Sequence, residues 1–154
     1  MDQYEITEKV DGDFNNSVFF ATHKVTAAKV VIKEIQSGKY KKDAQHHGIA
    51  EGQAHDLCKS DSVIRLVEHF KEKGFYYLVT SRAKYGSLLN YQGSIASETC
   101  LSEDHARQIF KQIVLGVKHI HSQGIVHRDL KHLNILVSKA DPTEVKITDF
   151  GIAM

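Results

Sequence analysis

His127-Arg128-Asp129-Leu130-Lys131-His132-Leu133-Asn134-Ile135-Leu136, with Asp149-Phe150-Gly151 following it, is the stretch on which the reading of this chain turns. It gathers a carboxylate, cations beside it, a side-chain amide and a second carboxylate. A carboxylate can accept or orient a proton, and a neighbouring lysine can neutralise charge on a group in transit. An amide oxygen and a carboxylate are hard donors of the kind magnesium takes. Phosphoryl transfer asks for this equipment, because it needs positioning and charge neutralisation more than covalent help. Taken alone, Asp129 would pass for a turn aspartate. Its register with Lys131, Asn134 and Asp149 is what carries the reading.

Upstream of this stretch, Ser102 is placed to N-cap a helix, with Glu103 and Asp104 in its positive first turn. Ile109, Phe110, Ile113, Val114, Val117 and Ile120 then recur at helical spacing, and Gly124 ends the segment. The first part of the chain reads instead as antiparallel strands, at Tyr4 to Val10, Ser17 to His23, Lys29 to Ile35, Val63 to Phe70 and Phe75 to Thr80. Lys73-Gly74 suits a tight hairpin between the last two. Residues 41–59 have helical composition, although Gly48 and Gly52 each weaken a helix by about 1 kcal/mol relative to alanine. Short strands are expected at Ile135 to Val137 and Val145 to Thr148, around a turn at Asp141-Pro142. The order of elements argues against a doubly wound parallel sheet.

The His-Arg-Asp run, the lysine at Lys131, Asn134 and Asp149-Phe150-Gly151 together resemble the catalytic and metal-binding loops of the eukaryotic protein kinases. Lys131 resembles the serine/threonine group rather than the tyrosine group. The resemblance implies an α+β, two-lobed fold: a five-stranded antiparallel N-lobe with one helix, then the first helices and catalytic loop of a C-lobe. It implies an N-lobe over residues 1–80, a hinge over 81–86 and a partial C-lobe over 87–154. That is about three-fifths of a domain of roughly 250 residues. The implied reaction is ATP-dependent phosphorylation of protein serine or threonine, with ATP and Mg2+ as cofactors. The alternative is a non-catalytic, pseudokinase-like binding or regulatory module.

Residue by residue, the resemblance makes Asp129 the base and Lys131 the charge stabiliser, with Asn134 and Asp149 on the metal. Val30-Val31-Ile32-Lys33 resembles the strand that carries the nucleotide lysine, so Lys33 would pair with Glu51 and reach the phosphates. Thr80 falls at the gatekeeper position, and Ser81, Arg82 and Ala83 at the hinge, whose backbone would bond adenine. Val18, Val31 and Leu136 would sandwich the ring. Gly12 is the one glycine kept in the phosphate-covering loop, where glycine lets backbone amides approach an anion. Asp13 adds a like charge there, and weaker ATP binding is expected. His55, Leu66, His127 and Phe150 match the positions of the family's regulatory stack, with His55 where a large apolar residue is usual. Together with Gly48 and Gly52 this predicts an α-helix around Glu51 that is poorly pre-organised and mobile without a partner or nucleotide.

A net charge of +1 gives no electrostatic reason to invoke nucleic acid or an acidic membrane surface. No apolar run approaches the roughly 18 residues that span a bilayer. The start of the chain carries no apolar leader, and Cys58 and Cys100 are too few for a disulfide framework. The expected setting is the cytoplasm, with the nucleus as the alternative, and a protein substrate or regulatory protein as partner. Ten histidines invite a metal site, but His46, His47, His119 and His121 lack the spacing of one.

Overall fold

Alternating apolar and polar residues from Tyr4 onward open a run of antiparallel strands. In the computed structural model, which describes residues 1–12, 16–36, 42–95, 101–140 and 143–154, β1 is Tyr4–Gly12, β2 Asn16–His23 and β3 Lys29–Gln36. Helix α1, Lys42–Leu57, follows, and then β4, Leu66–Glu72, and β5, Phe75–Ser81. The strands form one antiparallel sheet in the order β1-β2-β3-β5-β4. The β4–β5 hairpin turns on Lys73 (φ 48°) and Gly74 (φ 84°), the paired positive φ values of a type I′ turn. Register irregularities mark both edge strands, at Thr7 and Val10 in β1 and at Val67 in β4.

The chain divides into two units. The first comprises Met1–Asp56 with Arg65–Arg82, and the second Leu57–Ile64 with Ala83–Met154. One face of the first unit's sheet is packed by Tyr4, Ala21, Val30, Ile32, Tyr77 and Val79. The other carries Ile35, Tyr76 and Leu78, against which Ile49 and Leu66 pack. The two glycines of α1 belong to this second face. A Cβ on residue 48 would stand 2.9 Å from Tyr76 Cδ1, and one on residue 52 would stand 2.8 Å from His69 Nδ1. Glycine here permits close approach of helix to sheet, a tertiary use that composition read only as a loss of helix propensity.

In the second unit, α2 is Leu88–Ile95 and α3 is Glu103–Ser122. β6, Ile135–Ala140, and β7, Thr143–Ile147, make a hairpin. Ser102 caps α3 as expected, its hydroxyl accepting from the His105 amide at 3.3 Å, and Gly124 (φ 73°) lies just past its end. Ile109, Gly116 and Ile120 are the buried residues of α3; a Cβ at Gly116 would meet Ile147 Cδ1 at 2.8 Å. Phe110 and Val114, expected on the same apolar stripe, are exposed.

One expectation needs correction. β4 begins at Leu66 rather than Val63, because Ile64 N–H donates to Ile147 O and Ile147 N–H to Ser62 O, so the backbone at 62–64 is taken up by β7. Helix α2 answers to the first helices that the resemblance implied, although the residue pattern assigned it no range. The Asp141-Pro142 turn and Asp13, Asn15 and Lys41 lie outside the described residues. The architecture is the α+β arrangement that the resemblance implied, a five-stranded antiparallel sheet with a helix followed by helices and a short hairpin.

Candidate active site

The candidate residues fall into two groups, one in each unit. In the first, β3 and β5 run in register so that Lys33 faces Leu78 and Val31 faces Thr80, while β2 sets Val18 opposite Lys33. Residues alternate across a strand, so Lys33 and Ile35 point to the face that α1 covers. Lys33 Nζ donates to both carboxylate oxygens of Glu51, at 2.8 and 2.9 Å. Glu51 is 6 % exposed. A carboxylate this buried is tolerated when paired and hydrogen-bonded. Gly12 pairs with Ser17 where β1 and β2 converge. Ser81 N–H donates to Arg65 O at 2.9 Å and Arg82 N–H to Lys29 O at 3.2 Å. Both amides are therefore committed within the sheet, and the Arg82 guanidinium lies 3.5 Å from the Phe20 ring centroid.

The second group hangs on the β6–β7 hairpin. Pairing of Ile135 with Ile147 sets residue 134 beside residue 148, and Thr148 N–H donates to Asn134 O at 3.0 Å. The loop before β6 and the loop after β7 are thereby tied together. Leu136 lies on β6, opposite Lys146 and bridged to Ser87, and Ala83 is buried.

Within this group Asp129 is the centre. Its Oδ2 accepts from Lys131 Nζ at 2.7 Å and from Asn134 Nδ2 at 2.9 Å. Asn134 Nδ2 also donates to Asp129 O at 2.9 Å. With the amide nitrogen committed twice, the amide oxygen of Asn134 is its acceptor end. The Lys131 ammonium, through its hydrogen bond, holds the Asp129 carboxyl below the usual carboxylate range, and Asn134 adds to this.

Backbone strain sits at the same loops. Arg128 (φ 64°) and Asp149 (φ 67°) occupy the left-handed region, which costs L-residues of order 1–3 kcal/mol each. Neighbours over-determine both positions. Arg128 Nε donates to Ile152 O at 2.5 Å, and Asp149 Oδ1 accepts from Gly151 N–H at 3.4 Å. His127 is 2 % exposed, and its two ring nitrogens have opposite roles. Nε2 lies 3.0 Å from Thr148 O, a carbonyl that can only accept, so Nε2 carries the proton. Nδ1 accepts from Asp129 N–H at 3.3 Å. The His127 and Phe150 rings pack at 5.1 Å between centroids.

The protein kinase domain model matches residues 4–154. The chain belongs to the protein kinase family. Its curated relatives include the serine/threonine-protein kinase RAD53 of Saccharomyces cerevisiae, 42% identical over 91 residues. That alignment covers 59% of this chain and 11% of RAD53. CBL-interacting protein kinase 11 of Oryza sativa subsp. japonica is 34% identical over 154 residues, 99% of this chain and 30% of that protein. The human hormonally up-regulated neu tumor-associated kinase is 32% identical over 133 residues, 85% of this chain and 18% of that protein. The kinase chain thus spans less than a third of the length of each of these relatives.

Of the kinase residues expected from sequence, the structure brings together Lys33 with Glu51, and Asp129 with Lys131 and Asn134. Val31 and Thr80 are neighbours across the β3–β5 ladder. Two polar residues escaped the sequence reading: His69 on β4 and Tyr76 on β5, whose ring nitrogen and hydroxyl bond each other beneath α1. The available signal was the Gly48/Gly52 spacing, which puts both glycines on one helix face and marks close approach. Among the described residues no cluster of three or more His, Cys, Asp or Glu side chains is arranged to hold a metal ion, and no helix is long and apolar enough to cross a membrane.

Proposed function

We propose that this chain binds Mg-ATP and carries the catalytic loop for transfer of the γ-phosphoryl group to a serine or threonine of a protein substrate. The observation that carries the reading is the Asp129 carboxylate, bonded at once by Lys131 and by Asn134. A hydroxyl nucleophile needs an ionised carboxylate to orient it and accept its proton, and Asp129 is held ionised by the lysine at its side. Lys131 then stands where charge on the transferring group must be neutralised. Lys33, aimed by Glu51, is the phosphate anchor.

The donor set fits the metal. Magnesium takes one or two protein oxygens and completes its shell with phosphates and water, rather than using an all-protein cage. The Asn134 amide oxygen and the Asp149 carboxylate are such a pair, and the Thr148 N–H bond to Asn134 O holds their two loops together. Magnesium held there would supply charge neutralisation for the nucleotide phosphates. We assign adenine to the hinge, with Val18, Val31 and Leu136 about the ring and Thr80 as gatekeeper. The Ser81 and Arg82 amides are engaged by Arg65 O and Lys29 O, so the reading of adenine falls to other backbone groups of the hinge. Gly12 is assigned to the phosphate-covering turn. The lobes are assigned to residues 1–80 and 87–154, joined by 81–86. A free, buried Cys58 accords with a reducing setting, cytoplasmic or nuclear.

Titration of the 154-residue chain with ATP, with and without Mg2+, tests the reading by calorimetry. The expected result is saturable binding that needs Mg2+ and is weakened at least about tenfold by Asp149→Asn. Absence of binding at millimolar nucleotide would overturn it and leave a non-catalytic binding module as the function. Binding without transfer to generic protein acceptors would confine the chain to nucleotide recognition.

A further inference from the structure

His69 and Tyr76 share the face of the sheet that α1 covers. The rows of that face run Lys33–Leu78–His69 and Ile35–Tyr76–Lys71 across β3, β5 and β4. His69 thus stands in the same row as Lys33, and Tyr76 is its diagonal neighbour, within reach of a long aromatic side chain. The Tyr76 hydroxyl and His69 Nδ1 are hydrogen-bonded, with the ring centroids 5.9 Å apart.

Both polar tips end at one point of α1. An added Cβ at Gly52 would lie 2.8 Å from His69 Nδ1 and 2.9 Å from the Tyr76 hydroxyl, while at Gly48, one turn earlier, it would meet the Tyr76 ring. The helix backbone at residue 52 therefore rests directly on the bonded pair. Glu51 is the adjacent residue, and its charge, after burial, is the second cause that raises the Tyr76 phenol above its ordinary range. A protonated phenol can donate to or accept from His69 Nδ1, so the bond forms with either tautomer of the imidazole.

We infer that the Tyr76–His69 pair is a positioning seat for α1, holding Glu51 at the height above β3 at which both its carboxylate oxygens reach Lys33. The geometry has the parts such a seat needs. Two side chains from different strands lock each other by a hydrogen bond, so neither can swing away alone. The helix carries glycine where it touches them, so the contact is to backbone rather than to a compliant side chain. The residue whose placement matters is covalently next to the contact. Loss of the hydrogen bond frees two tips, and α1 loses its stop at residue 52. The effect on nucleotide binding rests on the role proposed for Lys33; the effect on the ion pair does not.

The test reads the ion pair itself, in nucleotide-free chain, as the solvent-exchange rate of the Lys33 side-chain ammonium by nitrogen-15 NMR. Tyr76→Phe and His69→Leu are expected to speed that exchange about fivefold, the scale of one net hydrogen bond. His69→Asn, which can offer its amide oxygen as acceptor close to where Nδ1 stood, is expected to restore the rate to within about twofold. Unchanged Lys33 exchange in folded Tyr76→Phe and His69→Leu would overturn the seat. So would a matching acceleration of backbone amides throughout the sheet, since that is general loosening. A parallel Mg-ATP titration separates the two claims. Wild type that fails to bind while the variants still shift Lys33 exchange would refute nucleotide recognition and leave the seat standing.

Discussion

Lys33 Nζ is held between the two carboxylate oxygens of Glu51, with the lysine side chain 27% exposed and the glutamate 7%. The carboxylate is the more buried partner, so removal of the cation is felt chiefly there. Lys33→Met is expected to cost about 1–3 kcal/mol in urea unfolding, because a buried acceptor loses its charged donor. Glu51→Gln added to Lys33→Met should recover part of that loss. A double variant less stable than either single one would show that Glu51 is held by something other than this lysine.

Asp129 gives a pH prediction with a definite sign. Its carboxyl is held below the usual range by Lys131, so the folded chain binds this proton less readily than the unfolded chain. Any stability linked to it is present above the ordinary carboxylate range and is lost as pH falls through the lowered folded value. Lys131→Met should move the Asp129 titration upward, read by carbon-13 NMR of the carboxylate. An unmoved midpoint would mean that Lys131 is not the principal cause.

At Gly52, propensity and packing oppose each other. Alanine gains about 1 kcal/mol in an exposed helix interior. Here its Cβ would press on two side-chain tips that are bonded to each other, and overpacking typically costs about 1–3 kcal/mol. Gly52→Ala should therefore lower Tm, as should Gly48→Ala against the Tyr76 ring. Thermal unfolding followed by circular dichroism decides it, and a raised Tm at both positions would show that α1 is free to lift.

What was legible in the sequence was what local chemistry dictates. Lys73-Gly74 closes a hairpin because a two-residue turn of this kind needs positive φ, and Ser102 caps α3 because its hydroxyl meets an amide three residues on. The Asp129, Lys131 and Asn134 cluster was legible because the three side chains are close in the chain. The Lys33–Glu51 pair was legible only through the family resemblance, since nothing local joins strand β3 to helix α1. Helix α2 was legible only as one of the helices the resemblance implied; its start is marked by the Ser87 hydroxyl, which accepts from the Asn90 amide at 3.2 Å. Val63 to Arg65 read as strand by composition, but hydrogen bonds from residues distant in sequence decide how that backbone is used. The expected loop beyond Gly12 lies outside the described residues at 13–15.

The interruptions at Thr7 and Val10 in β1 and at Val67 in β4 have a consequence for how this chain behaves in company. Both flanks of the five-stranded sheet carry a break in register, and Thr7 turns its hydroxyl onto Phe20 O, within the sheet. A foreign strand laid along either flank loses step after a few residues, while a continuous ladder is what self-templating requires. The sheet is thereby guarded against open-ended polymerisation by misalignment.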